Sequence, residues 1–152
     1  MTRFLARLGL LACLFVVAGC GVITTSAPAP TPADLQGIFG EMASRGLKLD
    51  GLVAGDAGCD DHTLVQTAIG FDASGLDQAE PVRLHLYIFR DREAYERLRS
   101  TIDACVASFV TDATTFESID DSPFVLAGQG PWAPEFKSTL RTALEVAAGT
   151  GD

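Results

Sequence analysis

"PVRLHLYIFR", residues 81–90, decides the fold. Val82, Leu84, Leu86 and Ile88 fall on one side of an extended chain, and Arg83, His85, Tyr87 and Phe89 fall on the other. A period of two held this long is a strand signal and does not suit a helix. The first face is aliphatic and belongs in a core. The second is polar at its start and aromatic at its end, so it is either half solvated or partly covered.

The neighbours of this strand extend the pattern in both directions. Upstream, "TLVQTAIGFD" (63–72) puts Val65, Thr67, Ile69 and Phe71 on one face. "ASGLDQAE" (73–80) then reads as the loop of a hairpin, with Gly75 as its turn residue. Before it, "LKLDGLVAGD" (47–56) is a less regular strand whose glycines suggest a bulge or a sheet edge. Downstream, Asp91 caps a long helix from residue 92 to about 110. Tyr95, Leu98, Ile102, Cys105, Val106 and Phe109 form its apolar stripe, and Glu93 and Arg97 pair on its outside. "TFESIDDSPFVLAGQGPW" (115–132) offers a short strand, a turn at 120–123 and the apolar strand "FVLAG". Pro134 opens a last helix, with Phe136, Leu140, Leu144 and Ala147 inward and Gly149 as its stop. A first helix begins at Pro32 behind a Thr31-x-x-Asp34 capping pattern. It carries Leu35, Ile38, Phe39 and Met42 as its stripe and stops at Gly46. The expected order is α-β-β-β-α-β-α, with room for one extra short strand. Strands that follow one another in sequence favour an antiparallel sheet. The expected fold is therefore α+β, a two-layer sandwich of about four strands with the helices on one face.

The chain has 152 residues and a formal net charge of −9. Its first 19 residues read as a secretory signal. Arg3 and Arg7 make a positive start, and Leu8 to Val17 is an apolar run too short to span a bilayer, which takes about 20 residues. The run ends in Val17-Ala18-Gly19-Cys20. This arrangement resembles the lipobox of bacterial lipoproteins, an aliphatic residue, a small residue and Gly or Ala before an invariant Cys. The resemblance implies that signal peptidase II cuts before Cys20, that Cys20 carries a diacylglycerol, and that the mature chain starts there. Two or more acyl chains hold a protein to a membrane stably, each buried methylene adding about 0.8 kcal/mol. Residues 20–31, "CGVITTSAPAPT", are then a lipidated Cys and a Pro/Ala/Thr-rich tether, and 32–149 a single domain on the extracytoplasmic face of the cell membrane. "LYIFRDREAYERL" and "SPFVLAGQGPW" are similar to segments of small exported proteins of GC-rich bacteria, a resemblance that covers most of the mature domain and brings no activity with it. The absence of Asn and the presence of only two Lys fit the same coding bias.

Loss of Arg3 and Arg7 takes the net charge from −9 to −11. Such a surface is unsuited to nucleic acid, which needs clustered Lys and Arg. Cys13 leaves with the signal and Cys20 takes the lipid. Cys59 and Cys105 are left as an even pair in an oxidising compartment, where a disulfide is expected.

Four features could carry chemistry. "CDDH" sets Asp60, Asp61 and His62 side by side after Cys59, a potential cation site, but consecutive residues point apart, and such groups near a turn usually bond their own backbone. His85 is either a base beneath a pocket or a strand histidine on a half-exposed face. "GQGPW" (128–132) carries the single tryptophan. Trp132, with Gln129 beside it, is either an exposed binding anchor or a cover over the end of the core. The fourth is the cysteine pair itself. There is no nucleophile elbow and no Gly-rich phosphate loop, so no cofactor is expected. The expected role is a non-enzymatic binding or accessory domain at the cell envelope, its partner an envelope protein or small ligand. The alternative is a small hydrolase or metal-dependent enzyme built on Asp60, Asp61, His62 or His85.

Overall fold

The computed structural model describes residues 32–148. Cys20, the leader, the tether, the Thr31 cap and the Gly149 stop lie outside the described residues. The elements are α1 (Pro32–Ser44), β1 (Lys48–Ala54), α2 (His62–Val65), β2 (Ala68–Gly75), β3 (Gln78–Ile88), α3 (Arg92–Phe109), β4 (Phe116–Asp121), β5 (Phe124–Gln129) and α4 (Pro134–Ala148). A short 3-10 turn, Ala113–Thr115, leads into β4. The class is α+β, and the sheet is antiparallel throughout, in the order β1-β2-β3-β5-β4.

Three details differ from the sequence expectation. The sheet has five strands rather than four, because both halves of the 116–129 hairpin pair fully. Residues 62–65 form a helical turn instead of the start of a strand. Asp61 causes this: its Oδ1 accepts from the Thr63 and Leu64 N–H groups, at 2.8 and 3.2 Å, and nucleates the turn. Third, the helices lie on both faces, so the domain has three layers. Leu84 and Leu86 of β3 join Phe71, Phe124 and Leu126 against Ile38 and Met42 of α1 and Phe136, Leu140 and Leu144 of α4. Tyr87 of the same strand and Phe89 just past its end, with Val125 and Ala127, pack against Leu64 of α2 and Ile102, Cys105 and Val106 of α3. Each fully buried side chain of this size contributes about 1.5–3 kcal/mol. Two separate apolar faces on one strand therefore recruit two separate helical layers.

β1 is an edge. Its register shifts between Asp50 and Val53, where Gly51 takes φ +60°, a left-handed conformation that a side chain would strain. Leu52 and Val53 stay about half exposed there.

The start of α4 is capped from a distance. Ala133 precedes Pro134 and has no side chain with which to cap. Asp77, in the β2–β3 turn, accepts from the Glu135 N–H at 2.9 Å and the Phe136 N–H at 2.8 Å, while Gln78 Oε1 accepts from the Ala133 N–H at 3.0 Å. The Glu135 N–H in particular holds the Asp77 carboxyl below its ordinary range, with burial opposing and Phe136 assisting. Asp77→Ala is expected to lower the melting temperature by a few degrees at pH 7, and Asp77→Asn by less. Because the folded value is depressed, the contribution is present above the ordinary carboxylate pKa, 3.8, and is lost as pH falls below it. Melting curves of wild type and Asp77→Ala should therefore converge toward pH 3. A gap unchanged at that pH would argue against the cap.

Candidate functional site

The polar half of the β3 face is where ionisable groups meet. Arg83 and His85 project on the same side of the strand, two residues apart. Among the described residues, His85 is the one buried polar or charged side chain, 3% exposed. Opposite His85 on β2 stands Gly70, and opposite it on β5 stands Ala127. A Cβ on Gly70 would come within 2.2 Å of Asp56 Oδ2 and 2.7 Å of Arg83 Nη2, so the missing side chain is what makes room for that ion pair.

Asp56 lies in the loop between β1 and α2. Arg83 Nη2 donates to its Oδ2 at 2.6 Å, and Gly58 N–H donates to its Oδ1 at 3.0 Å. His85 Nε2 stands 3.3 Å from the same Oδ1. Arg83 also donates through Nη1 to the Gly51 carbonyl at 3.1 Å and sits 3.5 Å from Asp72 Oδ2. Burial pushes Asp56 upward, but Arg83, the Gly58 N–H and His85 outweigh it and hold the carboxyl below its ordinary range. For His85 burial dominates. It lowers the imidazole from the usual 6.5, Arg83 adds to the fall, and Asp56 pulls the other way. His85 is thus neutral at pH 7. The carboxylate can only accept, so Nε2 carries the hydrogen. Nδ1 is then left as a buried acceptor with no hydrogen-bond partner.

The loop carrying Asp56 is fastened at several points. The Tyr87 hydroxyl donates to the Ala57 carbonyl at 2.8 Å. Burial pushes the Tyr87 phenol up, so it keeps that proton. Gly58 takes φ +74° and presses on Phe109, whose ring carbon would lie 2.3 Å from any added Cβ. Phe109 in turn covers His85, ring centroids 4.4 Å apart. Cys59 and Cys105 form a disulfide with Cα atoms 5.4 Å apart, tying the loop to the buried face of α3.

This geometry is a buried polar lock. A general base must reach a substrate proton. The His85 ring is sealed by Phe109, by the loop and by the sheet, so no reacting atom can approach it in this conformation.

The other residues singled out in the sequence are placed as follows. Asp60 and His62 are exposed, and the Asp61 carboxylate is engaged in capping α2. His85 pairs with Asp56 and not with this trio. No group of three or more His, Cys, Asp or Glu among the described residues is placed to hold a metal ion. Trp132 is 5% exposed and belongs to the core beneath α1 and α4. Its Nε1 donates to the Gln129 carbonyl at 3.0 Å, its backbone N–H to Glu117 Oε1 at 2.8 Å, and its ring meets Phe136 edge to face. Gln129 Oε1 accepts from the Thr111 N–H at 2.9 Å and its amide nitrogen donates to Thr115 Oγ1, stitching the loop after α3 to β5. Of the two readings of Trp132, its placement is that of a cover over the end of the core, and the Gln129 side chain is engaged in hydrogen bonds within the molecule.

Asp56 and Arg83 were not singled out from sequence. Their signal was faint but present, since an arginine and a histidine two apart on a strand share a face and call for a nearby carboxylate. A separate surface cleft of about 420 Å³ runs between α2 and the start of α3, lined by Gln66, Phe89, Arg90, Asp91, Glu93 and Arg97 among others. These two arginines are balanced by two acidic residues. No helix among the described residues is long and apolar enough to cross a membrane. No protein family, curated protein or solved structure matches the chain.

Proposed function

We propose that this chain is an extracytoplasmic lipoprotein: cut before Cys20, lipidated there, and held by residues 20–31 so that the α+β domain stands off the outer surface of the cell membrane. The domain acts as a non-enzymatic binding or accessory module for an envelope protein or small ligand. One observation carries the reading. Cys59 and Cys105 meet as a disulfide across a sequence separation of 46. Such bridges persist in oxidising compartments and are rare inside cells. The bridge is independent of the leader, yet supports the same side of the membrane. The net charge, −9 for the whole chain and −11 once Arg3 and Arg7 leave with the leader, supports a domain that keeps clear of anionic headgroups and does not hold nucleic acid.

The test is the fate of Cys20. Mass spectrometry of detergent-extracted protein should find acyl mass on Cys20 as the first residue. Cys20→Ser should accumulate as uncut precursor or appear in the soluble fraction, with most of the membrane-held mature form lost. A wild-type protein that is soluble, unacylated and cut elsewhere would overturn the proposal.

A further inference from the structure

We propose that the Asp56–His85–Phe109 packing is an acid-responsive latch: a second proton on His85 drives the loop 55–59 and the Phe109 end of α3 off the sheet face, and loss of that proton lets them return. The inference concerns the domain alone and does not rest on the anchor at Cys20.

In the closed structure the His85 side chain is 4% exposed and its Nδ1 has no partner. As an acceptor without a partner it carries a modest cost. Once protonated it becomes a buried N–H donor with no acceptor, and the ring gains a charge in a site with little water. Both penalties are large for a buried group.

The charged groups facing the ring do not cancel that charge. Asp56, from the loop, is already engaged by Arg83 at 2.6 Å. Arg83, on the same strand, repels an imidazolium. Asp72, on β2, is 3.5 Å from Arg83 and acts on His85 only weakly. Tyr87 is neutral, α3 contributes Phe109, and β5 contributes Ala127. The depressed pKa of His85 agrees with this geometry.

What can move follows from what covers the ring. On the α3 side of the sheet the lid is the segment Asp56–Gly58 together with Phe109. The segment is joined to the largely exposed strand β1 and is held down by buried Ala57, by the bonds from Arg83, Tyr87 and Ser108, and by the disulfide. Lifting it gives the imidazolium water. The bridge keeps it tethered, so the motion is reversible. The sign is fixed by linkage. His85 titrates lower closed than open, so the closed form holds fully above about pH 6.5 and is lost as pH falls through and below that value. Until the closed-state pKa is reached, the open-to-closed ratio rises close to tenfold per pH unit.

Hydrogen–deuterium exchange on the full chain in mild detergent, corrected for the intrinsic pH dependence of exchange, reads this directly. Between pH 7.5 and 5, protection of residues 55–60 and 106–110 should fall as pH drops below about 6.5, with a slope that does not exceed tenfold per unit, while 84–88 and 124–128 keep theirs. His85→Phe and His85→Gln should each abolish the fall, the glutamine keeping a donor for Asp56 should the phenylalanine disturb folding. The latch is overturned if protection in 55–60 is flat with pH, if both variants retain the fall, or if the whole domain loses protection together.

Discussion

Replacing both Cys59 and Cys105 by alanine, or reducing the bridge, is expected to cost about 4 kcal/mol of stability, by the chain-entropy relation for a loop of this size. The bridge spans a sequence separation of 46 and joins the loop that carries Asp56 to the buried face of α3. A domain of this length has roughly 5–15 kcal/mol in total, so the loss is a large share of it. The melting temperature should fall by on the order of 15 °C. Helix content should survive, because α1 and α4 pack on the far face of the sheet and do not touch the bridge. Thermal melts followed by circular dichroism, with and without reductant, check this. Free-thiol labelling of both residues in the native protein, or an unchanged melt on reduction, would contradict it.

The second large effect concerns Trp132. Trp132→Ala is expected to cost about 3–5 kcal/mol, the range for removing a buried large aromatic side chain. Its indole is 5% exposed, packs edge to face on Phe136 with centroids 6.5 Å apart, and uses its N–H internally. Trp132→Phe should recover a large part of the loss, because it refills most of the cavity and forfeits only one hydrogen bond. Urea unfolding of the two variants separates the roles. A tryptophan serving as a surface anchor would leave stability nearly unchanged on truncation, and that result would restore the binding-loop reading.

How much of this was legible can be argued residue by residue. The alternation at 81–90 reveals a strand, and the turn chemistry around 73–80 and 120–123 reveals the hairpins β2–β3 and β4–β5, because period and turn residues are local properties. β1 as an irregular edge and α3 with its Asp91 cap are legible for the same reason. The third layer is not. An apolar stripe such as Ile102, Cys105 and Val106 states that α3 must be buried but not against which face of the sheet. The clue lay in Tyr87 and Phe89, too large and apolar to be left in water, which require a cover of their own. The turn 62–65 escaped because Thr63, Val65 and Thr67 favour extended chain, and one carboxylate at Asp61 outweighs that weak propensity. Asp56 escaped because its partners Arg83 and His85 are 27 and 29 positions away, a pairing that only the assembled sheet creates.

The distant capping of α4 carries a consequence for the order in which the molecule assembles. Nothing within residues 134–148 satisfies the first free N–H groups of that helix; Asp77 does, from 58 and 59 positions earlier in the chain. A short helix without a local nucleus is marginal in water. The hairpin turn must therefore exist before the helix is fully stable, and the helix in turn pins the turn. Hairpin and helix should gain and lose structure as a single cooperative unit, with a residue near the middle of the sequence initiating the element that completes it.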